Sequence, residues 1–253
     1  MSRSAELLSI IVPVYNEVVT SRAVLDRLLA IDLPLPREII VVDDGSTDGT
    51  GAVLDEAHRD HPAIAVLHAT RNQGKGSAIR AGIARARGTI VAIQDADLEL
   101  DPRQLAALVE PILGGATGVV YGSRFLQGRG GAPMHTFLAN RVLTTVTNLL
   151  FGASLTDMET CYKIMRIEVA RSLDLTANRF DIEPEITARL LRRGYRIHEQ
   201  PVRFDARSRA QGKKISWRDG IRALQVLVRE RFNPAGRPVR RGPGGGGSMN
   251  EED

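Results

Sequence analysis

Cysteine is almost missing from this chain: Cys161 is the single example in 253 residues. One thiol excludes a disulfide framework and a cysteine-based zinc site. Aromatic residues amount to 4%, and no run interleaves them with arginine. That argues against a stacking platform for single-stranded nucleic acid, and no nucleic-acid partner is expected. The five histidines form no helical metal-binding pair. Long apolar runs are lacking too. A membrane-spanning helix needs about 20 apolar residues, whereas the longest lipophilic stretch without charge, Val142 to Thr156, is diluted by threonines and Asn148. Near the start, Glu6 follows Arg3, and the apolar run Leu7 to Val14 closes on Pro13 and Tyr15-Asn16-Glu17. That is not the layout of a secretory leader, so a cytosolic protein is expected.

What is present is enough apolar material, 43% of residues, to bury a core in one large domain or two small ones. Charged residues make up 25%, with a net charge of +4, which is not a disordered composition. The charge is uneven. Residues 1–120 hold 11 Lys and Arg against 16 Asp and Glu, and the remainder 23 against 14. An acidic first half suits a bound cation, and a basic second half suits an anionic substrate or membrane surface. Solvated helix faces would give the same counts.

Two hydrophobic periods alternate through the first half. Strands are expected at Leu7–Val14, Glu38–Val42, Ala63–His68, Thr89–Gln94 and Gly118–Tyr121. Between them, helical spacing covers Val18–Ile31, Asp48–Asp60, Gly74–Arg87 and Pro102–Leu113. Strand–helix alternation with β-branched runs predicts an α/β fold, a mostly parallel central sheet with helices on both faces. Ligands of such sheets bind beyond the carboxyl ends of the strands. In the second half, helices are expected at His135–Phe151, Arg179–Arg193 and Ser216–Phe232, with one or two strands in Tyr195–Phe204. From Asn233 the chain is rich in Pro, Gly and Arg, the composition of a flexible tail.

The unusual residues fall at the strand ends. Pro13-Val14-Tyr15-Asn16-Glu17 follows the first strand and Asp43-Asp44-Gly45-Ser46-Thr47-Asp48-Gly49-Thr50 the second. A turn with a helix cap accounts for much of the latter. Two adjacent carboxylates exceed what a cap needs, and one of them could accept from a base N–H or a ribose O–H. After the fourth expected strand comes Gln94-Asp95-Ala96-Asp97-Leu98-Glu99. In extended chain Asp95, Asp97 and Glu99 would share one side. Three converging carboxylates repel unless a divalent cation neutralises them, and hard oxygen ligands suit Mg²⁺ or Mn²⁺. Gln73-Gly74-Lys75-Gly76-Ser77 fails as a phosphate loop, because Ala69 stands at the first glycine position.

The basic half offers Gly122-Ser123-Arg124-Phe125, Asn140-Arg141 and the segment Arg207-x-Arg209-x-x-Gly212-Lys213-Lys214-Ile215. Four cations around a glycine-containing loop suit a phosphate clamp. In Asp157-Met158-Glu159-Thr160-Cys161-Tyr162-Lys163, Asp157 reads equally as a general base or as a structural carboxylate paired with Lys163 or an arginine. Cys161 reads as a small core residue.

Taken together, these motifs resemble family 2 glycosyltransferases of the GT-A fold, in the branch of the dolichol-phosphate mannose and glucose synthases. They span about residues 7–232 in the family's order. The resemblance implies one GT-A catalytic domain over residues 1–232, its donor half ending near 122, with a tail at 233–253. It implies metal-dependent, inverting transfer of a hexose, mannose favoured and glucose from UDP-glucose next, to a polyprenyl or dolichyl phosphate. By position, Pro13, Tyr15, Glu17 and Asp44 would surround the nucleotide. Asp95, Asp97 and Glu99 would serve metal and diphosphate, Arg124 and Arg141 the acceptor phosphate. The loop with Arg207, Lys213 and Lys214 would close over the donor. Some relatives carry Gln where Glu99 stands. Relatives often carry membrane helices or a membrane partner subunit, so such a partner, or a peripheral place on the cytoplasmic face of the membrane, is expected here.

In that reading the acceptor phosphate, with a second pKa of about 6, is already ionised and needs little help from a base. Cations beside the departing diphosphate would favour the transition state. Apolar stripes beside arginines on His135–Phe151 and Ser216–Phe232 suit an interfacial helix or simple core packing. Two other functions stay open: transfer to a saccharide or soluble acceptor with Asp157 as base, and non-catalytic nucleotide-sugar binding.

Overall fold

The computed structural model describes residues 6–129, 131–205 and 217–233. Its centre is a seven-stranded sheet of order β3-β2-β1-β4-β6-β5-β7. The strands are β1 (Leu8–Val14), β2 (Arg37–Asp43), β3 (Ile64–His68), β4 (Ile90–Ile93), β5 (Val119–Ser123), β6 (Lys163–Arg166) and β7 (His198–Pro201). β1 pairs in parallel with β2 and β4, β2 with β3, and β5 with β7. Only β6 runs against its neighbours, lying antiparallel between β4 and β5. With β6 as the reversed spacer, β5 points the same way as β4. The carboxyl ends of β1, β2, β4 and β5 therefore meet one rim.

Helices cover both faces because successive strand residues point to opposite sides. On β1, Ile10, Val12 and Val14 face a core with α1 (Ser21–Ala30), α2 (Thr50–Asp60) and α4 (Leu105–Leu113). Ile11 faces the other core, with α3 (Lys75–Arg85), α6 (Ile167–Ser172) and α7 (Ile182–Arg192). Both faces are buried, so the strands read as unbroken apolar runs. Each fully buried Ile or Leu contributes about 2 kcal/mol. α3 lies so close to β1 that a Cβ on Gly82 would run into the Ile11 side chain. A third, smaller core joins α5 (Met134–Phe151), α7 and α8 (Trp217–Phe232) through Leu143, Met158, Ala188, Ala223 and Leu227.

The expected alternation is present with shifted ends. α1 begins at Ser21 rather than Val18, since Val18 and Val19 lie exposed in a turn. A 3₁₀ turn at Pro102–Gln104 opens α4, capped by the Asp101 side chain on the Arg103 N–H. α7 begins at Ile182, three residues later than the spacing suggests. Two elements went unforeseen, β6 and α6. β6 has four residues and starts with Lys163, a charge in the middle of the fold at 0% exposure. That lysine breaks the apolar run by which a buried strand is recognised. The residues expected to form the basic clamp, Arg207, Lys213 and Lys214, lie outside the described residues, as does the tail from 234.

Candidate active site

A cavity of about 560 Å³ opens at the rim of strand ends, a volume within the range of small-molecule sites. Pro13, Tyr15, Glu17, Asp44, Asp95, Asp97, Glu99 and Arg124 all line it. Eight residues expected to bind the donor, the metal or the acceptor thus meet in one place. Two loops form its first wall by binding each other. Asn16, at φ +51°, accepts from the Thr47 N–H and donates its own N–H to Ser46 Oγ. The Glu17 and Val18 N–H groups donate to Thr50 Oγ1 and Asp48 Oδ2.

The adjacent acids Asp43 and Asp44 divide their work. Asp43 is buried, accepting from the Ser46 N–H at 2.9 Å and meeting His68 Nδ1 at 2.9 Å. Its imidazole partner comes from β3, 25 residues away in sequence. Asp44 accepts from the backbone N–H groups of Gln73 and Gly74, at 2.8 and 2.7 Å. Gly74 has φ +103°, and a Cβ there would strike the Asn178 carbonyl oxygen. This grip places Lys75, the first residue of α3, against the cavity wall.

Lys75 Nζ stands 2.7 Å from Asp95 Oδ1 and 3.0 Å from Glu183 Oε1. Burial alone would lower its pKa, but Asp95 and Glu183 hold it well above the ordinary lysine value. Glu183 also meets Lys163 Nζ at 2.5 Å. Burial would raise the Glu183 carboxyl, yet Lys163 and Lys75 keep it below its usual value. Lys163 further donates to the Met158 and Thr160 carbonyls and lies over the Tyr121 ring.

Asp95, Asp97 and Glu99 line one cavity, but the expectation that they share one side of an extended chain is corrected by the structure. The segment after β4 turns at Ala96–Asp97, and Leu98 has φ +61°. Alternation therefore ends at Asp95, and the Asp97 carboxylate accepts from the Glu99 N–H at 3.1 Å. Among the described residues no three His, Cys, Asp or Glu side chains gather as a metal shell. Gln94 anchors this turn: it accepts from the Tyr162 hydroxyl at 2.6 Å and donates to the Asp95 and Leu100 carbonyls.

Asp157 is fully buried and paired with an arginine, not with Lys163. Arg124 binds it through Nε at 2.7 Å and Nη2 at 2.8 Å, and the Asn140 amide donates to the same carboxylate. Burial would lower the Arg124 pKa, but Asp157 raises it. The guanidinium stacks on Phe125 and Phe204, 5.2 Å from each ring centre. Glu199 holds the Thr156 and Asp157 N–H groups. Asp157 does not line the cavity, so its place is behind Arg124. Arg141 is not brought to the cavity either; it is exposed on α5. The physical reason is helical phase, since its neighbour Asn140 takes the inward position on Asp157.

Residues 9–174 match the sequence model of Glycosyl transferase family 2. The chain belongs to that family. It is 32% identical over 213 residues to an undecaprenyl-phosphate mannosyltransferase of Micrococcus luteus, covering 80% of this chain and 85% of the relative. It is 31% identical to a polyprenol monophosphomannose synthase of Mycolicibacterium smegmatis, covering 78% and 77%. Among solved structures, glucosyl-3-phosphoglycerate synthase of Mycobacterium tuberculosis, in complex with Mn²⁺ and UDP, superposes with a TM-score of 0.68 at 21% identity, covering 90% of this chain and 80% of that one. A mannosyltransferase of Pyrobaculum calidifontis in complex with GDP-Man and Mn²⁺ gives 0.61 at 23%, covering 90% and 64%. The fold is GT-A.

The motifs at the strand ends of this glycosyltransferase were legible before folding, but several cavity residues were not. Lys75 and Glu183 line it as a buried ion pair. Arg179 and Phe180 come from the loop before α7, and Arg218, Asp219 and Arg222 from α8. Glu159 lines it with Oε1 shielded from solvent and without a hydrogen-bond partner. Burial lifts its carboxyl to about 7, against the pull of Lys163 and Arg124. Cys161 is buried beside it, and burial pushes its thiol well up, as befits a core residue. The sequence signal for Lys75 was its place after a glycine that starts a helix, and for Glu159 its place in the Asp157–Lys163 motif; for Glu183 there was none.

Proposed function

We propose that this glycosyltransferase moves a hexose, mannose in the first instance, from a nucleotide sugar to a polyprenyl phosphate, as one catalytic domain over residues 1–232. The observation that carries the reading is a single cavity in which carboxylates of the first half (Glu17, Asp44, Asp95, Asp97, Glu99) share walls with arginines of the second (Arg124, Arg179, Arg218, Arg222). Acids suit a nucleotide and a divalent cation, arginines an acceptor phosphate. The relatives from Micrococcus luteus and Mycolicibacterium smegmatis, whose names state mannosyl transfer to or synthesis on a polyprenol phosphate, support it.

The donor set fits a divalent cation of the Mg²⁺ or Mn²⁺ kind. Such ions are held by one or two carboxylates plus substrate phosphates and need no closed protein cage. Asp97 and Glu99 offer hard oxygens on the cavity wall, and Asp95 stands there with Lys75 on its oxygens. A bound ion would supply positive charge to the leaving diphosphate. The chain itself contributes the Lys75 ammonium beside the same carboxylate, and Asp44 keeps that lysine in place through the α3 start.

On the acceptor side, Asp157 commits Nε and Nη2 of Arg124 and thereby fixes the plane of the guanidinium. Nη1 is the nitrogen outside that pair. A phosphate monoester is its own nucleophile near neutral pH, so Arg124 has to align the anion and Asp157 has to hold Arg124. Among the described residues no helix is long and apolar enough to cross a membrane. Access to a lipid acceptor is supported instead by the exposed stripe Met134, Leu138, Val142 and Leu149 on α5, beside Arg141, which suits a peripheral place on a membrane surface.

The test is transfer itself. Purified protein with Mn²⁺ is offered GDP-mannose or UDP-glucose and a short-chain polyprenyl phosphate in detergent. A glycosyl phospholipid formed from one donor is the expected product. Hydrolysis without transfer, or transfer to a free saccharide instead, would defeat the acceptor assignment.

A further inference from the structure

We propose that Glu159 determines sugar specificity in this site, its carboxylate taking a hydrogen bond from a hydroxyl of the hexose on the nucleotide-sugar donor. The inference rests on the donor reading above. Glu159 sits on the loop between α5 and β6 and lines the same cavity as Asp95, Asp97 and Arg124. Its Oε1 is hidden from water and meets no donor. The two cations that act on it are both committed elsewhere. Arg124 turns Nε and Nη2 to Asp157, and Lys163 turns its ammonium to Glu183 and the Met158 and Thr160 carbonyls. Asp157 and Glu183 add like charge.

A buried carboxylate oxygen without a donor is costly and rare in native proteins, and the missing partner is expected from a ligand. Rotation about the last side-chain torsion of a glutamate is broad, so either oxygen can turn to the cavity that the residue lines. The ligand group must be a neutral donor, since an anion would face Glu159, Asp157 and Glu183 together. A nucleotide sugar carries such groups on its hexose and not on its diphosphate. A hydroxyl also accepts, so it satisfies the carboxylate and the carboxylic acid alike. A site built around one hydroxyl rejects the analogue that lacks it.

The test is calorimetric titration of the full chain with Mn²⁺, using GDP, GDP-mannose, UDP and UDP-glucose, for the native protein and for Glu159→Ala and Glu159→Gln. The Ala variant is expected to weaken the preferred nucleotide sugar about tenfold or more while moving its free nucleoside diphosphate less than twofold, the loss of one hydrogen bond to a charged group. The isosteric Gln variant restores part of the affinity and serves if the Ala variant fails to fold. One monodeoxy analogue of the donor sugar should bind native protein and Ala variant equally. Equal weakening of nucleotide sugar and nucleoside diphosphate, or a gap that every deoxy analogue keeps, overturns the assignment of Glu159 alone. A native protein that binds none of the four ligands overturns the donor reading with it.

Discussion

Lys75 Nζ bridges two carboxylates from opposite parts of the chain, Asp95 after β4 and Glu183 on α7, at 2.7 and 3.0 Å. The lysine side chain is 11% exposed and that of Glu183 4%. Removing one partner of a buried ion pair leaves the other charge uncompensated, which costs about 3 kcal/mol or more. Lys75→Met is expected to lower stability by that order, read from the midpoint of urea unfolding with an unchanged slope. Adding Asp95→Asn should recover part of the loss, because it removes the carboxylate left without its cation, whereas Glu183 keeps Lys163. A single variant as stable as the native protein would show that the bridge is not formed in solution.

Arg124 and Asp157 separate two roles that the sequence left level. A general base contributes about 10²- to 10⁴-fold and imprints its pKa on the rate profile. A buried carboxylate that only orients an arginine does not. Asp157→Asn is expected to raise KM for the polyprenyl phosphate with a smaller fall in kcat, and to leave the shape of the pH–rate profile as it is. The measurement is kcat and KM from pH 5.5 to 9. A collapse of kcat by three orders of magnitude, with loss of the acidic limb, would restore Asp157 as the base and point to a hydroxyl acceptor.

How much of this was readable in the chain differs by element. Strand ends rich in Asp and Asn stood out, because a buried β-branched run followed by acids has few structural uses; Asp44, Asp95 and Glu17 duly reached one cavity. Asp97 and Glu99 line it too, but not by the alternation of an extended chain, because Leu98 takes a left-handed turn. β6 stayed hidden behind Lys163, whose burial depends on Glu183 twenty residues on. Arg141 shares a dipeptide with Asn140, yet helical phase sends one to Asp157 and the other to solvent. Lys163 is decided by a distant partner, and Leu98 and Arg141 by backbone turn and helical phase that hydrophobic periodicity does not read.

His68 makes stability depend on pH. Its Nδ1 meets Asp43 and its Nε2 meets Asp55, at 2.9 and 3.0 Å. The hydrogen bond to Asp43 is the main cause that raises the imidazole pKa in the folded protein, with Asp55 adding to it and burial opposing. A raised folded value means the protonated form is favoured by folding. The contribution is therefore complete below the unfolded pKa of about 6.5 and fades as pH rises through the folded value. His68→Gln should flatten the melting temperature between pH 6 and 8 relative to the native protein and lower it more at pH 6 than at pH 8. A loss that is equal at both pH values would mean that the histidine is neutral throughout.

α5 turns an apolar face outward. Leu149 is 81% exposed, Val142 58%, Met134 55% and Leu138 53%, and their spacing puts them on one side of the helix. On α8, which packs against α5 in the third core, Val228 and Phe232 are exposed as well. Substitutions at such positions change folding stability by only about 0.5 kcal/mol, so an effect on binding can be read apart from one on folding. Apolar stripes flanked by arginine insert into the headgroup boundary of anionic bilayers. The native protein is expected to sediment with vesicles containing phosphatidylglycerol and to stay in solution with phosphatidylcholine alone. Val142→Asp with Leu149→Asp should release it at an unchanged melting temperature. Arg141→Gln should leave partial binding that added salt weakens less, because one screened attraction is gone. If the double variant sediments like the native chain, the stripe does not contact lipid and the acceptor must be reached by another surface.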